Sequence, residues 1–221
     1  MLRTGLVLLL VLGSGCYYGT MEGAHTLGEG HMVFSGNLVL PAYLNAEERA
    51  EAEDTREDYL GVYPTFRFAT GATENIDIGM SAYGYGIGPH LKMSLYPSRE
   101  VNAISAILDV NYVLPTQVIS PRGCIAVGRR FGRSLQFYGG YELGYGPDLA
   151  NIPEDEEGND DWDQIENTLF HGAKIGCIYE LKPRGGETSY GALVPEGICF
   201  EFTAPFDLSR SMIVAGLGVI Y

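Results

Sequence analysis

Four histidines (His25, His31, His90 and His171), four cysteines and 28 acids are the side chains of this 221-residue chain that could carry chemistry. The cysteines, at positions 16, 124, 177 and 199, form no C-x-x-C pair, and the histidines keep no metal-ligand spacing. Zinc ribbons and thioredoxin-like redox chemistry therefore lose their usual signals. Nucleophilic hydrolysis would need Ser, His and an acid brought together. His31 and Ser35 share one face of an extended segment, but four residues of strand separate them by ~13 Å, beyond a hydrogen bond without help from a neighbouring strand. His90 and His171 fall on distant segments, so an enzyme reading requires a Ser or Asp within hydrogen-bond reach of His31, His90 or His171. The densest acids, Glu154 to Asp163, are of the type that holds hard divalent cations. They miss the EF-hand register: with Gly158 at the sixth place, the first would be Pro153 and the twelfth Gln164. Gly84-Tyr85-Gly86-Ile87-Gly88 lacks the Lys and helix of a phosphate cradle. A solvated loop and a tight strand connection account for these two stretches, and no catalytic residue, metal site or cofactor is assigned.

Charge is distributed unevenly. Fourteen Lys and Arg against 28 Asp and Glu give a net charge of −14, with no basic cluster, which excludes the electrostatic footprint of a nucleic-acid binder. Glu47 to Asp58 holds seven acids and two arginines, and Asp148 to Glu166 holds nine acids and no base, so these two stretches carry the whole excess. They identify 44–58 and 146–167 as solvent-exposed loops, the first with helix-forming composition. The rest of the chain is neutral.

Between the loops, apolar residues recur every second position, the strand period. Met32, Phe34, Leu38 and Leu40 alternate with His31, Val33, Ser35 and Asn37; Leu91, Met93 and Leu95 alternate with His90, Lys92 and Ser94. Ile198, Phe200 and Phe202 alternate with Cys199, Glu201 and Thr203. Ten strands follow, at 30–40, 59–70, 76–87, 89–97, 102–113, 122–131, 134–145, 168–181, 196–204 and 210–221. The connections at 71–75, 97–101 and 132–133 are short, and both acidic loops lie at the opposite end. Pro64 lies within a strand and removes a ladder donor, so a bulge or a local loss of pairing is expected there.

An even number of alternating strands, with short turns at one end and long loops at the other, is the layout of a closed antiparallel up-and-down transmembrane β-barrel. A soluble sandwich or lipocalin-like sheet has the same alternation turned inside out. The polar faces favour the barrel, because they are rich in Gly, Ser and Tyr rather than in dense Lys and Glu. Tyr59, Tyr63, Tyr85, Tyr96, Tyr112 and Tyr145 fall near strand ends, where amphipathic rings suit a membrane interface. The chain ends on Tyr221, with Val219 and Leu217 on the same face. This resembles the C-terminal signature by which bacterial outer-membrane β-barrel proteins are recognised, and the resemblance implies the barrel assembly machinery as a partner. Phe66 to Tyr83 likewise resembles the strand, turn and strand of that superfamily. The resemblance covers residues 30–221 in architecture and points to no single functional family.

Read literally, the alternation aims Arg67, Lys92 and Lys174 into the lumen together with Asp77, Asp109, Glu142 and Glu201; Arg129 is expected to join them, although its strand alternates poorly. Buried charges are costly unless paired, so four bases against four acids imply a cross-barrel ion network and a filled interior. The alternative is a narrow channel for small solutes, which planar-bilayer conductance separates from a filled lumen; Arg67→Ala raises conductance if that residue plugs the lumen. Membrane lipid surrounds such a barrel, and its acidic loops are placed to meet divalent cations or lipopolysaccharide.

The N-terminus reads as an address. One positive charge at Arg3, an apolar run from Gly5 to Leu12 and the small residues Gly13-Ser14-Gly15 before Cys16 have the form of a signal peptide. The run is too short to span a bilayer as a helix, which takes ~20 residues. The arrangement resembles a bacterial lipoprotein signal, with Cys16 lipidated; it departs from that pattern at Gly13, where Leu is usual. An ordinary secretory peptide is the alternative, in the same compartment. Tyr17 rather than Asp after Cys16 does not resemble an inner-membrane retention signal. The expected organisation is a signal peptide at 1–15, a periplasmic segment at 16–29 and a bacterial outer-membrane barrel at 30–221, structural or surface-interacting rather than enzymatic.

Overall fold

Period-two alternation forces successive side chains to opposite faces of a sheet, and here the two faces separate by polarity. Ile175 is 65% exposed, while the neighbouring Lys174 is 1% exposed. Phe34, Phe68, Met80, Leu91, Ile125 and Phe202 lie on the outside, and Asp77, Asp109, Glu142 and Glu201 are buried within. This is the reverse of a water-soluble sheet protein, and it decides between the two orientations left open by alternation.

The computed structural model describes residues 22–43, 63–83, 86–96, 101–132, 134–147, 162–181, 196–205 and 212–220. Ten strands run β1 (Met32–Tyr43), β2 (Tyr63–Thr73), β3 (Ile76–Tyr83), β4 (Gly86–Tyr96), β5 (Asn102–Val113), β6 (Val118–Phe131), β7 (Leu135–Pro147), β8 (Asn167–Glu180), β9 (Gly197–Pro205) and β10 (Met212–Ile220). Each pairs antiparallel with its sequence neighbours, and β1 pairs with β10, Ser35 opposite Ile220 through Tyr43 opposite Met212. The sheet is therefore a closed barrel with no free edge. A single 3-10 turn, Trp162–Gln164, is the only helical piece among the described residues.

The strand boundaries follow the sequence expectations to within four residues; β6 begins earlier than expected, at Val118, and further differences are local. β2 begins at Tyr63, which puts Pro64 at its second residue, opposite Leu38 and without a bulge; pairing with β3 starts one residue later, at Thr65. The irregularities instead fall between Gly71 and Thr73 and between Ser94 and Tyr96. The break between β3 and β4 lies between Tyr83 and Gly86 rather than at Gly88. Cys177 pairs with Phe200 and Ile178 with Cys199, so these two cysteines sit on adjacent strands but opposite faces. Both are free, as is Cys124.

Residues 22–27, expected outside the barrel, are inside it. Glu22, Ala24, His25 and Thr26 are buried at 5% exposure or less. The chain turns inward just before β1, where Gly28 and Gly30 take left-handed φ values of 84° and 76°. Gly30 N–H donates to the Gly71 carbonyl (2.9 Å) and Gly71 N–H to the His31 carbonyl (2.8 Å), which ties the entry to β2. A Cβ at Gly71 would run into the Gly28 carbonyl. Gly71→Ala is expected to cost about 1–3 kcal/mol through overpacking, read as a lower midpoint of heat-induced unfolding in detergent.

Candidate functional site in the filled lumen

The interior is built from inward positions on eight strands and from the segment threaded between them. Alternation brings Arg67 on β2, Asp77 on β3, His90 and Lys92 on β4, Asp109 on β5, Glu142 on β7, Lys174 on β8 and Glu201 on β9 to the lumen side, all buried. Arg122 on β6 joins them. Arg129 does not. It is exposed on the outer face of β6, its guanidinium 5.3 Å from the centre of the Phe131 ring. The odd positions of β6 (Ile119, Ile125, Val127, Phe131) form its apolar face, and Arg129 shares their parity; the even positions carry Arg122 inward. Arg122 thus takes the place expected of Arg129, and the wall still carries four bases and four acids.

The threaded segment adds a fifth carboxylate. Glu22 receives Arg67 Nη1 at 2.7 Å on one oxygen and Lys92 Nζ at 2.9 Å on the other, with His90 Nε2 at 3.5 Å. Two cations from different strands converge on one side chain, so Glu22 is the hub of this half of the lumen. Burial by itself raises the Glu22 carboxyl, but Arg67, Lys92 and His90 outweigh it and hold the group well below its ordinary value of 4.5. With the folded value depressed, the stabilisation is fully present above the ordinary value and is lost as pH falls through the folded one. Protease sensitivity of the N-terminal segment, followed against pH, is accordingly expected to be flat from neutrality to about 4.5 and to rise only in stronger acid.

Backbone contacts fix the rest of the segment. Leu27 N–H donates to both oxygens of Asp77 at 3.0 Å. The Thr26 hydroxyl donates to the Glu74 carbonyl at 2.9 Å, and the Ser105 hydroxyl to the Ala24 carbonyl. His25 Nδ1 and Gln136 Nε2 lie 2.7 Å apart. Ala24 packs among Ala103, Ile107, Cys124 and Ala126, an apolar cluster of the lumen. Small wall residues there leave room for a backbone.

A second cluster centres on Lys174. Its ammonium is 3.4 Å from Glu142 and 3.7 Å from Glu201, donates to the Glu22 carbonyl at 3.3 Å and lies 5.6 Å from the centre of the Tyr138 ring. The Tyr138 hydroxyl donates to Glu201 at 2.8 Å. Lys174 therefore joins β7, β9 and the threaded segment through one charge.

His90 meets the contact that an enzyme reading demands, because its Nδ1 lies 2.9 Å from Asp109. The partners define what this contact does. Ser81 donates its hydroxyl proton to Asp109 at 2.8 Å rather than to the imidazole, and the other ring nitrogen faces Glu22. The serine hydroxyl is held by Asp109 and, at 3.2 Å, by Asn111, which ties β3 to β5 rather than aiming Ser81 at the ring. His90, Asp109 and Glu22 form a buried polar bridge between β4, β5 and the segment. His31 is exposed with Nδ1 at 3.2 Å from the Glu29 carbonyl, and His171 is buried on β8 beside the Tyr141 ring. Among the described residues, no group of three or more His, Cys, Asp or Glu is arranged to hold a metal.

Sequence reasoning missed Glu22 and His25; it set His90, Ser105 and Gln136 on the polar faces of their strands without giving them a partner in the lumen. The available signal was the run of small residues, Gly23, Ala24, Gly28 and Gly30, immediately before the first strand. Leu217 is on the outer face of β10 and Val219 shares its parity. Tyr221, Cys16 and most of the two acidic loops lie outside the described residues.

No family model matches the chain, and no curated protein matches it. Among solved structures, it is similar to the N-terminal β-barrel domain of Pseudomonas aeruginosa OprF, with 12% identity, a TM-score of 0.32 and coverage of 85% of this chain and 95% of that one. It is also similar to the outer membrane protein OprG of Pseudomonas aeruginosa, with 8% identity, a TM-score of 0.32 and coverage of 90% and 99% respectively.

Proposed function

We propose that the chain is a bacterial outer-membrane β-barrel that stands closed, its lumen filled by its own N-terminal segment, with a structural or surface-interaction role rather than a conducting one. The observation that carries this reading is Glu22, placed among Arg67, Lys92 and His90. A segment that neutralises the wall charges and donates its backbone to Asp77 is a built part of the interior. Membrane placement is supported by the outward apolar face and by closure, since a sheet that pairs its first strand with its last leaves no edge for lipid to meet. Strands of 8 to 14 residues bracket the ~9–11 that cross a bilayer at the usual tilt. In this reading a leader ends before Cys16, Cys16 carries lipid, and Leu217, Val219 and Tyr221 form the assembly signal. The acidic loops face outward, toward divalent cations or lipopolysaccharide.

Planar-bilayer recording of the purified full chain tests it. A quiet membrane after verified insertion is the expected result. Steady ion conductance by the unmodified protein would overturn the filled-lumen reading.

A further inference from the structure

Arg129 is a cation on the wrong face for the ionic interior, and its surroundings give it another use. We propose that the outer wall near the short-turn end binds one glycerophospholipid, its phosphodiester on Arg129 and one acyl chain in the groove beside it; this rests on the membrane placement argued above. The groove has a volume of about 560 Å³ and runs between Ile104 on β5 and Phe137 on β7, over Val127 on β6. Its size falls within the roughly 300–1,000 Å³ of pockets that hold small ligands. The hollow has a simple origin. Gly139, two residues after Phe137 and on the same face, has no side chain to fill it.

Charge complementarity names the occupant. Ile104, Val127 and Phe137 suit a hydrocarbon chain, and Arg129 stands at the same groove with Asn102 opposite it in the ladder, also exposed. Among the described residues the guanidinium has the Phe131 ring as its partner and no carboxylate. A cation–π contact leaves its donors available, and a planar guanidinium matches a phosphate through two parallel hydrogen bonds. The depth is consistent too. Tyr96, at the groove, and Tyr179 on β8 are exposed near the same rim, where aromatic rings sit at the headgroup level of a bilayer. One apolar channel ending in one forked cation has the form of a lipid with a single phosphate, from the leaflet at the short-turn end.

The test uses the full chain purified in detergent, incubated with dioleoyl phosphatidylglycerol, with bound lipid counted by native mass spectrometry. Two variants attack different halves of the site: Arg129→Gln removes the charge, and Val127→Trp fills the groove while keeping the charge. One lipid retained by the unmodified protein, with binding about tenfold weaker in each variant, is the expected result. Equal retention in all three proteins overturns the proposal. So does loss confined to Arg129→Gln with displacement by free glycerol phosphate, the behaviour of a surface charge without a groove. Insertion into vesicles of phosphatidylcholine alone, scored by heat-dependent gel mobility, separates the two levels of argument. Proteins that insert but retain lipid equally lose the site and keep the membrane placement; an unmodified chain that fails to insert loses both.

Discussion

Glu22→Ala is expected to convert a silent barrel into a conducting one. The substitution leaves Arg67 and Lys92 buried with their shared partner gone. Removing one member of a buried ion pair costs about 3–5 kcal/mol because the survivor stays desolvated. Three kcal/mol alone shifts the balance between docked and undocked segment by about a hundredfold. The wall cannot supply the missing charge: Asp77 already accepts from Leu27 N–H and lies 3.8 Å from Lys92, and Asp109 is taken by Ser81 and His90. Water and counter-ions entering the lumen would then be the cheapest remedy, and their path is what a bilayer recording measures. Glu22→Gln keeps the shape and some hydrogen bonding, so it should conduct intermittently. If Glu22→Ala inserts normally and stays silent, the segment is held by its backbone contacts and the hub assignment is wrong.

Lys174→Met is expected to damage the barrel itself. Glu142 and Glu201, on the two strands flanking β8, would be left side by side with no cation between them, and the Glu22 carbonyl would lose its donor. The expected loss is about 3–5 kcal/mol, seen as a lower urea midpoint for unfolding in detergent. Adding Glu142→Gln and Glu201→Gln to the same chain should recover much of it, because two neutral amides need no counter-charge. A single variant as stable as the unmodified protein would mean that Lys174 is not the charge holding β7 to β9.

The barrel was legible because its rule is local: in a strand, each residue's parity alone decides its face. Met32, Phe34 and Leu38, or Leu91 and Met93, declare an outward face without any knowledge of neighbours. Arg129 shows the same rule where polarity is blurred. Ile125, Val127 and Phe131 put it outside and Arg122 inside, while Gly123 and Cys124, small residues, obscure the alternation of β6 without changing parity. Glu22 could not be found this way. It lies in no strand, so no periodicity governs it, and its partners Arg67 and Lys92 are 45 and 70 positions away. The balanced tally of wall charges even concealed it, since four against four seemed to need no further acid. His90, a base held between two acids, is what accommodates the fifth carboxylate, and that arrangement exists only in three dimensions.

The continuity of residues 22–31 with β1, and the seam between β1 and β10, together constrain how the molecule can be made. The inserted stretch is tethered at Gly28 to His31 with no slack, so it cannot be delivered late as a detached cork. Either it is already lying along the nascent sheet when the final hairpin arrives, serving as a mandrel about which the wall curls, or it must reptate inward through the mouth beside the Glu74-Asn75 bend. Any later withdrawal past that bend has first to break the hydrogen bonds of Leu27 N–H to Asp77 and of the Thr26 hydroxyl to the Glu74 carbonyl.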